Sequence, residues 1–121
     1  MTPINLATLP KATAQEVFDY VANHLITQNE KSERIEDSGL ACLYRGQNGL
    51  KCGAGCLIAD IEYKPEMESI LWEYLVMRGL VPKEHENLIA TLQMVHDDNN
   101  PSDWATCLGR VAREFSLNYS D

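Results

Sequence analysis

The sequence predicts an α+β fold that is mostly helical, with about four main helices packed around one small β-hairpin, in a single compact domain over residues 1–121. Three observations lead there. Several stretches carry apolar residues at one-face helical spacing, and Asn48-Gly49 lies between two short strand-like runs. The third is size: 121 residues, 45% hydrophobic and 23% charged, with no linker, repeat or low-complexity tract, hold enough material for one core and too little for two.

Residues 1–11 read as an extended N-terminal segment. Thr13-Ala14-Gln15-Glu16 matches a capping box, and Val17, Phe18, Val21, Ala22, Leu25 and Ile26 continue it as a helix over 14–28. Asn29 to Gly39 is polar and reads as a connector. Leu40–Arg45 and Leu50–Cys52 are then expected to pair as a hairpin over 40–52, because Asn48 and Gly49 both tolerate the positive φ of a type I′ turn. In that register Cys52 shares a face with Leu43 and Arg45, and Cys42 points the other way. Gly53 and Gly55 end the second strand, and from Ala54 or Gly55 the run to Asp60 suits a short helix that stops before Pro65.

Pro65 opens the next helix, whose stripe is Met67, Ile70, Leu71, Tyr74 and Leu75, with Gly79 at its C′ position. After Pro82, Leu88, Ile89, Leu92 and Val95 define a helix over about 83–96. Asp97–Asn100 reads as a polar turn, since its calcium-loop likeness lacks the glycine and the glutamate such a loop needs. Ser102 suits the N-cap of a last helix carrying Trp104, Cys107, Leu108, Val111, Ala112 and Phe115.

The formal charge of −8, with no cluster of Lys or Arg among aromatics, argues against direct nucleic-acid binding and favours a basic protein partner. The N-terminus lacks a basic region followed by a long apolar run, and no apolar stretch is long enough to span a bilayer, so no membrane association is expected. The cytoplasm, in this reading the cytosol of a host bacterium, is therefore the expected compartment, and all four cysteines are read there as thiols.

Residues 42–60 hold four of the seven glycines and three of the four cysteines. Gly53, Ala54 and Gly55 at a helix start, with Arg45 and Lys51 nearby, could bind a small anion through backbone N–H groups, although the order of residues is not that of a P-loop. The competing reading is that these glycines only permit tight turning, with Arg45 paired to Asp60 or Glu62. Cys42, Cys52 and Cys56 could contribute to a metal site, but a fourth ligand would have to come from a distant histidine or Cys107, and no metal or cofactor is expected. His24, His85 and His96 each have a structural explanation, and no motif ties one to a cysteine as a catalytic base, so no enzyme activity is expected. Tyr44, Tyr63, Trp72 and Tyr74 are candidates for a partner interface, with core packing as the alternative.

Tyr44-Arg45-Gly46, Gly49, Lys51-Cys52, Gly55, Leu57-Ile58, Asp60 and Tyr63 resemble a pattern found in small uncharacterised proteins of tailed bacteriophages and prophages. Gln15-Glu16-Val17-Phe18, Trp72 and Val95-His96-Asp97 extend the resemblance over most of the chain. It implies phage origin and no particular activity. The expected function is a non-enzymatic phage accessory protein that binds a host macromolecule in host takeover, inhibiting a defence or metabolic factor. The alternative is a small-anion or nucleotide-binding module centred on the hairpin and the Gly53–Gly55 helix start.

Overall fold

The computed structural model describes residues 3–36 and 39–119, with residues 34–36 and 39–42 described as backbone only. Helix α1, Ala14–Gln28, has the expected bounds, and its capping box is complete: Thr13 accepts from the Glu16 N–H while Glu16 accepts from the Thr13 N–H. Val17, Phe18, Val21, Ala22 and Leu25 form its buried stripe. Helix α3, Glu86–Asp98, buries Leu88, Ile89, Leu92 and Val95, and helix α4, Trp104–Glu114, buries Trp104, Leu108, Val111 and Ala112. Helix α2, Trp72–Met77, is short and packs on α3. α1, α3 and α4 pack on one another and frame the core.

The α+β expectation is overturned. The molecule is helical, with four α-helices among the described residues, and no hairpin forms over 40–52. Apart from one isolated bridge, extended pairing among the described residues is a ribbon of four-residue strands, β1 (Glu33–Glu36) against β2 (Gly39–Cys42), which pairs the start of that span with the chain before it and whose substantial contacts are internal to it. The core cluster is assembled from helices, 3-10 turns and irregular chain.

The physical reason lies in where the backbone donors go. Asn48 and Gly49 do take left-handed conformations, at φ 57° and 75°, inside a 3-10 turn over Gln47–Gly49, and Arg45 and Lys51 form one isolated bridge. A ladder cannot continue beyond that bridge. Leu43 N–H is donated to Ser32 C=O, Tyr44 and Arg45 N–H go to the Glu68 carboxylate, and Lys51 N–H goes to the Gln28 side chain.

Other expectations are corrected in detail. The segment read as an extended N-terminus instead turns at Asn5–Thr8 and forms a 3-10 helix at Leu9–Lys11, with Leu9 fully buried. The short helix expected from Ala54 or Gly55 through Asp60 starts there but is only a 3-10 turn, Gly55–Leu57. The helix expected from Pro65 breaks into a 3-10 turn, Pro65–Met67, and α2, because Glu68 turns back to Tyr44 and Arg45 and Ser69 sits at φ 65°. Leu71 and Tyr74, expected in its buried stripe, are exposed. α3 starts at 86 because His85, at φ 63°, leaves the helix to bond Ala12 C=O through Nε2 at 2.7 Å. Ser102 does not cap α4; it lies inside a 3-10 turn, Pro101–Asp103, that runs into the helix.

Candidate functional site

The glycine-rich segment is a buried plug rather than an exposed loop. Every residue from Cys52 to Ile58 is buried against the helical frame. A Cβ on Gly53 would stand 2.7 Å from the Leu92 carbonyl oxygen of α3, and one on Gly55 would collide with the Tyr44 backbone. These glycines allow close approach of chain to chain. Their neighbourhood spends its donors internally: Ala54 N–H on Gln93 Oε1 at 2.7 Å, Gly55 N–H on Cys52 Sγ at 3.3 Å, and Cys56 N–H on Cys52 C=O. An anion cradle centred on Gly53, Ala54 and Gly55 therefore has no open face here.

Arg45 is likewise engaged. Its guanidinium bonds Asp60 and the Ile58 carbonyl and lies 4.8 Å over the Tyr63 ring. Of the two internal partners expected for it, Asp60 is the one it meets. Glu62 instead holds the N-terminal segment, accepting N–H groups from Leu6, Ala7 and Ala59. Asp60 is 88% exposed, so the ion pair adds little stability, and the stacking of Arg45 on Tyr63 fixes its direction.

Glu68 is the organiser that the sequence did not disclose. Its carboxylate accepts from Tyr44 N–H at 2.9 Å, Arg45 N–H at 3.1 Å and Tyr63 O–H at 2.7 Å. Burial first, and then this bond to Glu68, push the Tyr63 phenol up to about 12, so it remains a donor. Tyr44 donates its hydroxyl to Ile70 C=O and meets Trp72 edge-to-face at 6.5 Å between centroids. Trp72 is buried, with an indole N–H that has no partner among the described residues. Of the four aromatic interface candidates, Tyr44 and Trp72 are core residues, Tyr63 is half-buried, and Tyr74 is exposed.

The cysteines whose side chains are described belong to no metal-binding constellation. Cys52 and Cys56 are buried thiols, and the Cys42 side chain lies outside the described residues. Burial pushes the Cys52 thiol up to about 12; burial and then the neighbouring Cys52 push Cys56 up as well. Neither is a thiolate near neutral pH. Among the described residues no three of His, Cys, Asp and Glu converge as a metal site. His96 stands in the last turn of α3, the helix end expected for it, and is fully buried there. Its Nε2 accepts the Ser32 N–H at 2.9 Å, its Nδ1–H reaches Asp97 at 2.7 Å, and the ring stacks on Trp104.

Two surfaces among the described residues bear on function. One is the outer face of α2, where Leu71, Tyr74 and Met77 are 56%, 52% and 79% exposed at successive intervals of three residues. The other is a cleft of about 540 Å³ between α1 and the 48–51 turn, lined by Tyr20, Asn23, His24, Thr27, Asn48 and Lys51 among others. Sequence reasoning placed Arg45 and Lys51 together in any such cleft, but only Lys51 lines it. The missed signal was the polar stripe Tyr20, Asn23 and Thr27 on the face of α1 opposite to its apolar one.

Comparison with protein-family models, with curated proteins and with solved structures found no match. Among the described residues no helix is long and apolar enough to cross a membrane.

Proposed function

We propose that the chain is a non-enzymatic accessory protein that acts in the cytosol of a host bacterium by docking the exposed face of α2 onto a basic host protein. The observation that carries this reading is the stripe Leu71, Tyr74 and Met77, which leaves three large apolar side chains in water on a six-residue helix and its N-cap. Apolar side chains grouped in this way commonly mark an interaction surface. Charge supplies the class of partner. Glu66 and Glu73 are exposed in the same stretch, with Arg78 as the opposing charge, and the whole chain carries −8, so encounter with a basic surface is favoured. A basic nucleic-acid-handling protein of the host fits that chemistry, and the resemblance to phage proteins fits an inhibitory role toward a defence or metabolic factor.

A photo-crosslinking residue at position 74, in cells, tests the reading. The expected adduct is with a basic protein, lost when Leu71→Asp and Met77→Asp are introduced and retained when the exposed Met94 of α3 is changed to Ser. No adduct, or one indifferent to the α2 changes, would overturn the proposal.

A further inference from the structure

We propose that the cleft between α1 and the 48–51 turn binds a small oxyanion, a phosphate or carboxylate carried on a polar metabolite, with Lys51 as its counter-charge. The site is independent of the α2 face. Its volume of about 540 Å³ lies within the usual range for small-molecule sites, roughly 300–1,000 Å³.

The composition of the walls carries the inference. Acidic residues outnumber basic ones 18 to 10 in this chain, yet no Asp or Glu lines the cleft. The second cleft of comparable size, about 480 Å³ between the start of α3 and the end of α4, has both Lys83 and Glu86 in its lining. Of these two clefts, the first alone has a lysine without a carboxylate in its lining. Among the described residues Lys51 makes no ion pair, and Tyr20 O–H, Asn23, Thr27 and Asn48 make no side-chain hydrogen bond. Tyr20, Asn23 and Thr27 stand at intervals of three and four on α1, so their donors share one face.

The position of Lys51 is fixed by its backbone. Its N–H is donated to Gln28 Oε1 at 2.9 Å, and its C=O accepts from Gln28 Nε2 and His24 Nε2, both at 2.8 Å. These three bonds hold the lysine Cα against α1 while leaving its ammonium unspent. His24 can donate to a carbonyl only with its hydrogen on Nε2, and burial lowers its pKa, so the cation in the cleft at neutral pH is Lys51. A lysine ammonium binds oxyanions as a point charge, with neighbouring hydroxyl and amide donors completing the shell.

Titration of the full chain with inorganic phosphate, acetate, AMP and adenosine, followed by amide chemical shifts, tests the site. Phosphate and AMP, or acetate, should give saturable shifts at millimolar concentration confined to residues 20–28 and 48–51, and adenosine should give none. A response to phosphate without acetate assigns a phosphate ligand; the reverse assigns a carboxylate. Lys51→Gln should weaken binding at least about tenfold, and Lys83→Gln should leave it unchanged. Thr27→Val, at an exposed helix position, provides the same test through a residue outside the Lys51 backbone clamp. Absence of saturable shifts with every anion, shifts centred elsewhere, adenosine binding as well as AMP, or parental affinity in both cleft variants would overturn the proposal.

Discussion

The helical frame of α1, α3 and α4 and the chain from Leu43 to Leu71 are held by different physics. In the frame, main-chain hydrogen bonds close within each helix, and apolar stripes supply the cohesion, each buried large side chain contributing on the order of 1.5–3 kcal/mol. Between 43 and 71 there is little regular structure, and the main chain is satisfied by side chains brought from elsewhere: Glu68 for Tyr44 and Arg45, Gln28 for Lys51, Gln93 for Ala54, Glu62 for Ala59. That segment nonetheless contributes Cys52–Ile58 to the core. An irregular segment can be as buried as a helix if particular acceptors reach it, and it then depends on them one by one.

Breaking the frame should have the largest effect. Trp104→Ala removes the fully buried indole that stacks on His96, and a loss of about 3–5 kcal/mol is expected by urea denaturation, a large share of the stability of a domain of this size. Glu68→Ala attacks the other region. It strips acceptors from Tyr44 N–H, Arg45 N–H and Tyr63 O–H, and the expected loss is about 1–3 kcal/mol. Amide exchange should quicken at Tyr44 and Arg45 before it does in α3. Equal acceleration in both regions would show that they open as one unit and erase the distinction. Gly49→Ala is milder: φ is 75°, but nothing lies within 4 Å of the added Cβ, so the cost is the left-handed conformation alone, about 1 kcal/mol, read as a small fall in melting temperature.

The same division explains what could be read from the sequence. α1 was legible to the residue because a capping box and a 3.6-residue stripe are both local signals, and the buried positions of α3 and α4 followed from the stripe alone. The left-handed pair Asn48-Gly49 was legible too, since the conformation is a property of those residues. The hairpin inferred from it was not, because whether a ladder grows depends on whether its donors are free, and Glu68, twenty-three residues beyond Arg45, takes them. Glu68 itself gives no sequence signal: it is one of 18 acidic residues, and its neighbours suggested a helix that its own side chain interrupts. For the candidate sites, the sequence points to Tyr74 as an interface residue and to Lys51 beside the glycines, not in the cleft along α1. The rest of the α1 wall was hidden because polar residues opposite an apolar stripe look like ordinary solvated surface until another segment folds over them.

The smallest expected effect concerns the seam where the two regions meet, His24 on Lys51. Burial is the main influence on His24 and lowers its pKa below the ordinary 6.5; the bond to the Lys51 carbonyl pulls the other way, and the nearby Lys51 charge, with the His96 ring, again lowers it. With the folded pKa depressed, the unfolded chain binds more protons than the folded one as pH drops below 6.5. The contribution of His24 is therefore fully present above pH 6.5 and is lost progressively as pH falls toward the folded value. Stability measured from pH 8 to pH 5 in parent and His24→Gln isolates it, because the carboxylates and the other histidines titrate in both proteins. The difference between the two should be flat above pH 6.5 and shrink below it. A difference that grows on acidification would mean that the protonated ring is the better partner of this seam, and that the irregular segment is held to α1 by charge rather than by a neutral donor.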